Sequence, residues 1–167
     1  MRQMSQTQEL RLSDLDSQDL AILKILQQNN MTPQRTIGEM VNLSAAAVQR
    51  RISRLDKHGV IQGNVAILNA AAVGHPITVL VEVQIENERL DLLEASKASF
   101  AAAPEVQQCY YVTGETDFVL VVTVGSMKEY EQLTKRLFFE NHNVKHFKSL
   151  VVMDRIKASM ALSLPDI

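Results

Sequence analysis

The chain has 167 residues, is 46% apolar and 22% charged, and carries a formal net charge of −2, which is average for a soluble protein and long enough for a real core in one or two domains. It has no run of 18 apolar residues to span a membrane, and its polar opening, MRQMSQTQELRL, lacks the apolar stretch of a secretory signal. A single cysteine, Cys109, rules out an internal disulfide framework and suits the cytosol, while charge is uneven: 8 Lys/Arg against 6 Asp/Glu in residues 1–68, and 9 against 13 in residues 69–167. That asymmetry points to two modules with different partners.

Residues 1–13 read as a mobile polar leader. Asp16 can then cap a first helix over about 17–28. Asp19 sits favourably in its first turn, Leu15 and Leu20 are placed as a hydrophobic staple, and Ile22, Leu23, Ile25 and Leu26 form the stripe. Thr32-Pro33 is expected to open a second helix, with Thr32 as cap and Pro33 at the first helical position. Ile37, Met40 and Val41 are its apolar face. Gly38 costs stability there and implies close approach of another helix. Asn42 tolerates the left-handed turn that follows.

Ser44 caps the third helix, Leu43 to Gly59. Val48, Ile52 and Leu55 recur at i, i+4 and i+7 and can be buried together. The opposite face carries Ala46, Arg50, Ser53, Arg54 and Lys57, and Gly59 stands where a helix ends left-handed. Arg50 and Arg54 repel each other at i,i+4, which a helix facing a polyanion can accept. Helix, three-residue turn, helix is the helix-turn-helix pattern. Val60, Ile61, Val65, Ile67 and Leu68 are strand-like around Gln62-Gly63-Asn64 and suggest a short β-wing; residues 69–75 are a linker or short helical turn.

The back half alternates strand and helix. Residues 77–85 alternate as a half-buried strand. A helix starts at Asn87 or Glu88 and carries Leu90, Leu93, Ser96 and Phe100 on one side. Residues 105–113 form a second strand, Gly114-Glu115 a turn, and Thr116 to Val124 a central strand. Ser126 to Glu129 is a capping box, whose helix bears Tyr130, Leu133, Leu137 and Phe138; residues 144–154 are the last strand. The order βαββαβ is ferredoxin-like. The fold class expected is α+β, a winged helix-turn-helix over 14–68 followed by a ferredoxin-like domain over 76–157, with a tail over 158–167 that has no clear regular element.

These residues together resemble the Lrp/AsnC family of regulators over about 14–157. The marks are Leu15-Asp16, Asp19 and Ile22-Leu23 in the first helix; Leu43-Ser44, Val48, Arg51, Arg54-Leu55 and Gly59-Val60-Ile61-Gln62-Gly63 in the third helix and beyond; Thr113-Gly114-Glu115-Thr116-Asp117-Phe118; and Val151-Val152-Met153 with Lys157. The resemblance implies a cytoplasmic bacterial or archaeal transcriptional regulator. Its back half would be the small-molecule-binding module called RAM, pairing through its sheet into dimers that often assemble into octamers, with an amino acid bound between dimers. The chain departs from the family at Met31, where Arg is common, at Asn42 in place of the turn Gly, and at Ala45, Ala46 and Ala47.

A recognition helix enters the major groove N-terminus first. Here Ser44, Ala45 and Ala46 lead; Gln49, Arg50 and Ser53 can read base edges; Arg51, Arg54 and Lys57 lie where phosphates are met. Arg51, about 60° from the buried stripe, can instead pair with an acid on a neighbouring helix. With so few readers, specificity leans on DNA bending and on several half-sites held by one oligomer. The effector residues expected are Thr113, Gly114, Glu115, Thr116 and Asp117: N–H groups beside Gly114 for an α-carboxylate, Asp117 for an α-ammonium, with Tyr110 and Tyr111 nearby. A plain β-turn is the competing account. No cofactor or metal is expected; Asn141 to Asn143 breaks the helix that would align His142 and His146, and Cys109 has no nearby His or basic partner in sequence. No P-loop, nucleophile elbow or dinucleotide fingerprint occurs, so an enzyme is not expected. The alternative to a sensor is a ligand-independent architectural DNA-binding protein of the same fold.

Overall fold

A computed structural model of the chain describes residues 10–165. Residues 1–9 of the expected leader lie outside them, while residues 12–14 form one 3-10 turn. The chain divides into two compact units: one runs to Ala66 and takes in the residues from Ala158 onward; the other runs from Ile67 to Lys157.

The first unit is built on α1 (Ser17–Gln28), α2 (Gln34–Val41) and α3 (Ala45–Lys57). Helix α1 starts in a full capping box: Asp16 accepts from the Asp19 N–H at 2.8 Å, and Asp19 accepts from the Asp16 N–H at 3.2 Å. Two small clusters hold the unit. Ile22, Ile37 and Val48 meet where the three helices converge. Leu20, Leu23 and Leu55 form the other, with Leu15, Val60, Ile61 and Leu164 packed against them. Helix α2 differs from expectation at its start. Pro33 is the N-cap residue, and Thr32 turns its hydroxyl back to the Asn29 carbonyl at 2.7 Å instead of capping. Asn42 is left-handed (φ 55°), so α3 leaves at a sharp angle. Gly38 is required where the chain enters α3: a Cβ would lie on the Leu43 carbonyl oxygen and 3.5 Å from the Ala45 nitrogen that begins that helix, and the Leu43 N–H bonds Gly38 O at 2.9 Å.

The wing does not form. Residues 62–69 are exposed and carry no strand ladder, with Val65 and Ile67 79% and 91% exposed. Their alternation has no second strand to pair with in a single chain, and a lone strand cannot satisfy its backbone. Residues 158–165 form no regular element, yet they pack: the Gln27 carboxamide accepts from the Leu162 N–H at 2.6 Å and donates to the Leu162 carbonyl at 3.1 Å, while Leu164 joins the Leu20 cluster.

The second unit is a four-stranded antiparallel sheet in the order β2-β3-β1-β4, from β1 (Ile77–Ile85), β2 (Val106–Tyr111), β3 (Phe118–Val124) and β4 (Val144–Val151). Helices α4 (Leu90–Ala102) and α5 (Met127–Thr134) supply Leu93, Phe100, Tyr130 and Leu133 to its core. Odd positions of β1 from Val79 to Ile85 and even positions of β3 are buried, which is the period-2 pattern of a sheet covered on one face. Helix α4 starts later than expected because the Asn87 side chain accepts the Arg89 N–H and holds an Asx-turn. Helix α5 runs on as a π-helical turn, Lys135–Phe139, that buries Leu137 and Phe138 and leaves Phe139 outside. The Ser126 hydroxyl caps α5 as expected, accepting from the Glu129 N–H at 3.2 Å; Glu129 reaches the Gly125 N–H in place of that of Ser126.

Candidate nucleic-acid interface and effector turn

Helix α3 exposes one face. Ser44 caps it, accepting from the Ala47 N–H at 3.2 Å, and Ala45 and Ala46 stand exposed at its tip. Gln49, Arg50, Ser53 and Lys57 follow on the exposed side; among the described residues, Arg50 and Lys57 have neither an ion-pair nor a hydrogen-bond partner. Arg51 and Arg54 are arranged otherwise. Arg51 bonds Asp16 and Asp19 at 2.7 Å each and Gln18 at 2.9 Å, and Arg54 pairs with the second oxygen of Asp19. Asp19 is completely buried, so it needs both cations. Bonds from Asp19 and then Asp16 hold the Arg51 guanidinium above its ordinary pKa. Burial pushes the Asp16 carboxyl up, but the Asp19 N–H and Arg51 outweigh it and hold it below the usual range. Of the two roles open to Arg51 from sequence, the structure displays the acid pair, and Arg54 shares it.

Sequence reasoning passed over Gln34. It opens α2, exposed, and donates to the Gln49 carboxamide, which donates in turn to Ser53 Oγ at 3.2 Å. Nothing in the order of residues places a residue of α2 beside one fifteen positions on; that follows only from the angle set at Asn42.

The turn Thr113 to Asp117 is anchored to the end of β1. Asp117 Oδ2 accepts the Ile85 N–H at 2.8 Å, where the β1–β4 register shifts between Gln84 and Ile85. Thr116 Oγ1 donates to the Val83 carbonyl at 2.9 Å, and the Gln84 side chain donates to the Glu115 carbonyl. The side chains of Thr116 and Asp117 therefore serve the sheet. Gly114 takes φ 129°, which favours glycine, and Thr113, Gly114 and Glu115 are exposed. Among the described residues, the N–H groups of Gly114, Glu115 and Thr116 have no protein acceptor. Beside the turn lies a concavity of about 360 Å³ lined by Glu82, Gln84, Glu115, Thr116, His146 and Lys148. Tyr110 and Tyr111 are half-exposed on β2. Burial pushes the Cys109 thiol up, away from a reactive thiolate. No group of three His, Cys, Asp or Glu capable of holding a metal occurs among the described residues, and no helix there is long and apolar enough to cross a membrane.

Residues 15–56 match the AsnC-type helix-turn-helix domain, and residues 78–162 match the Lrp/AsnC ligand binding domain. An HTH-type transcriptional regulator of Sinorhizobium fredii is 45% identical over 151 residues, 90% of this chain and 89% of the relative. The leucine-responsive regulatory protein of Haemophilus influenzae is 31% identical over 98% of each chain. A transcriptional regulator of Neisseria meningitidis, solved as its L-Met complex, superposes with a TM-score of 0.83 at 29% identity, over 89% of this chain and 96% of that one.

Proposed function

The chain belongs to the Lrp/AsnC family of transcriptional regulators, and from that we propose that it binds DNA through α3 and takes an amino-acid effector at the turn Thr113 to Asp117. The observation that carries the DNA site is the split among the basic residues of α3. Arg51 and Arg54 are spent on Asp19, while Arg50 and Lys57 stand unpaired on the face opposite the buried Val48 and Leu55. Ser44, Ala45, Ala46, Gln49, Arg50 and Ser53 meet the major groove. Lys57 meets phosphate, and the outer edge of Arg54, 41% exposed, lies where it adds to that contact. Arg50→Ala lowers affinity for a selected duplex about tenfold; unchanged affinity, or affinity that holds as salt rises several-fold, removes the DNA site from α3.

The effector reading rests on the three unpaired N–H groups at the left-handed Gly114, which suit an α-carboxylate. Asp117 has one oxygen engaged by Ile85, which leaves the other for an α-ammonium. Dimers through the sheet, and octamers built from them, draw on the face away from the helices. There Leu150, Leu80 and Val121 lie abreast across β4, β1 and β3, and Leu150 is 40% exposed. In this reading residues 14–68 bind DNA, 76–157 bind effector and oligomerise, and the regulator works in the cytoplasm. Thermal melts with each of the twenty amino acids test the effector site. A shift with one of them supports it; no shift with any, together with unchanged DNA binding, leaves the ligand-independent architectural protein.

A further inference from the structure

We propose that Gln34 is a positioning residue for base recognition: from the start of α2 it fixes the carboxamide of Gln49, which reads an adenine edge. This rests on α3 being the helix that enters the groove.

The side chains form a short chain of their own. Gln34 Nε2 donates to Gln49 Oε1, and Gln49 Nε2 donates to Ser53 Oγ at 3.2 Å. The carboxamide is thus held at both ends, its oxygen from α2 and its nitrogen from the next turn of α3. A free glutamine turns over easily and offers acceptor and donor in either order. Adenine demands one order, an acceptor for its N6 amino group and a donor for N7. Each held atom of Gln49 keeps one site unused, a lone pair on the oxygen and a hydrogen on the nitrogen, and these are the two that adenine requires. All three residues are exposed, so the edge faces outward. Ala45 and Ala46, ahead of it, carry no group that can hydrogen-bond a base, so Gln49 and Arg50 are the first side chains of α3 with hydrogen-bonding reach.

The network contains no charge. Removing the Gln34 bond therefore alters which base is preferred without altering how many phosphates are neutralised, and that separates it from a backbone contact. The test uses the full chain and a pool of randomised duplexes. Base preference at each position and the salt dependence of affinity are measured for wild type, Gln34→Met, Gln49→Ala, the double variant and Arg50→Ala. Methionine keeps the length of Gln34 and removes its donor. Gln34→Met is expected to cut the preference for adenine about tenfold at the base pair that Gln49→Ala also relaxes, with the salt slope and melting temperature unchanged. The double variant should match Gln49→Ala alone, because the two act as one unit. A wild-type profile for Gln34→Met while Gln49→Ala relaxes one position overturns the inference, as does a uniform loss across all sequences. Unchanged binding and profile in both Gln49→Ala and Arg50→Ala overturns the placement of α3 in the groove itself.

Discussion

At the scale of single residues, the ion cluster under α3 carries the most consequence. Asp19 is closed off from water with Arg51 on one oxygen and Arg54 on the other, and its carboxylate also completes the cap of α1. Asp19→Ala leaves two guanidinium groups without their shared partner and should cost about 2–3 kcal/mol in urea unfolding. Asp16 adds a pH dependence. Its folded pKa lies below the unfolded value of 3.8, so its contribution is present above about pH 4 and is lost as pH falls through the folded value. Because the side chain is 52% exposed, the effect is about a few tenths of a kcal/mol. Asp16→Asn should accordingly flatten the acid limb of a melting-temperature profile below about pH 4. These partners were only half legible in the sequence. Asp16 and Asp19 announce a helix start by spacing alone, and Arg51 sits at the margin of the buried stripe. That the acids and the arginines, 32 to 35 residues apart, would close on each other needed the helix crossing.

At the scale of elements, local chemistry explains what could be read. Ser44, Asn42 and Gly59 act within their own turns, and the structure uses each as its type requires. The period-2 burial of β1 and β3 follows directly from their side chains. What escaped reading depends on partners. Val65 and Ile67 alternate like a strand but meet no second strand. Leu90 matches the apolar stripe of α4 yet is 72% exposed, because the Asx-turn at Asn87 delays the helix and leaves Leu90 at its first position. That Thr116 Oγ1 and one oxygen of Asp117 also tie the turn to β1, at Val83 and Ile85, could not be read from the order of residues. Gly38 gives a prediction at this scale. A methyl group there drives into the Leu43 carbonyl, so Gly38→Ala should lower stability by about 1–3 kcal/mol despite the better helix propensity of alanine, as a thermal melt would register.

At the scale of the whole molecule, the helical unit is not one continuous stretch of chain. Residues 158–165 come back to it after the sheet is built: Gln27 grips both backbone groups of Leu162, and Leu164 fills the edge of the Leu20 cluster. Deleting residues 158–167 should lower the unfolding free energy of the helical unit by about 1–2 kcal/mol, and Leu164→Ala should account for much of that loss. A fragment cut in the linker at residue 75 should show the same deficit in a urea titration. The tail looked featureless in sequence because its order comes from contacts 135 residues distant and not from any helix or strand of its own.

That return also sets a timetable. During synthesis α1, α2 and α3 leave the ribosome first, but Leu164 follows Ala66 by about 5–20 s at ordinary translation rates. The three helices spend that interval without the residue that finishes one of their two clusters. A chain broken off anywhere in the sheet keeps all three helices and lacks Leu164 on the Leu20 cluster, so interrupted products should unfold more readily than finished ones.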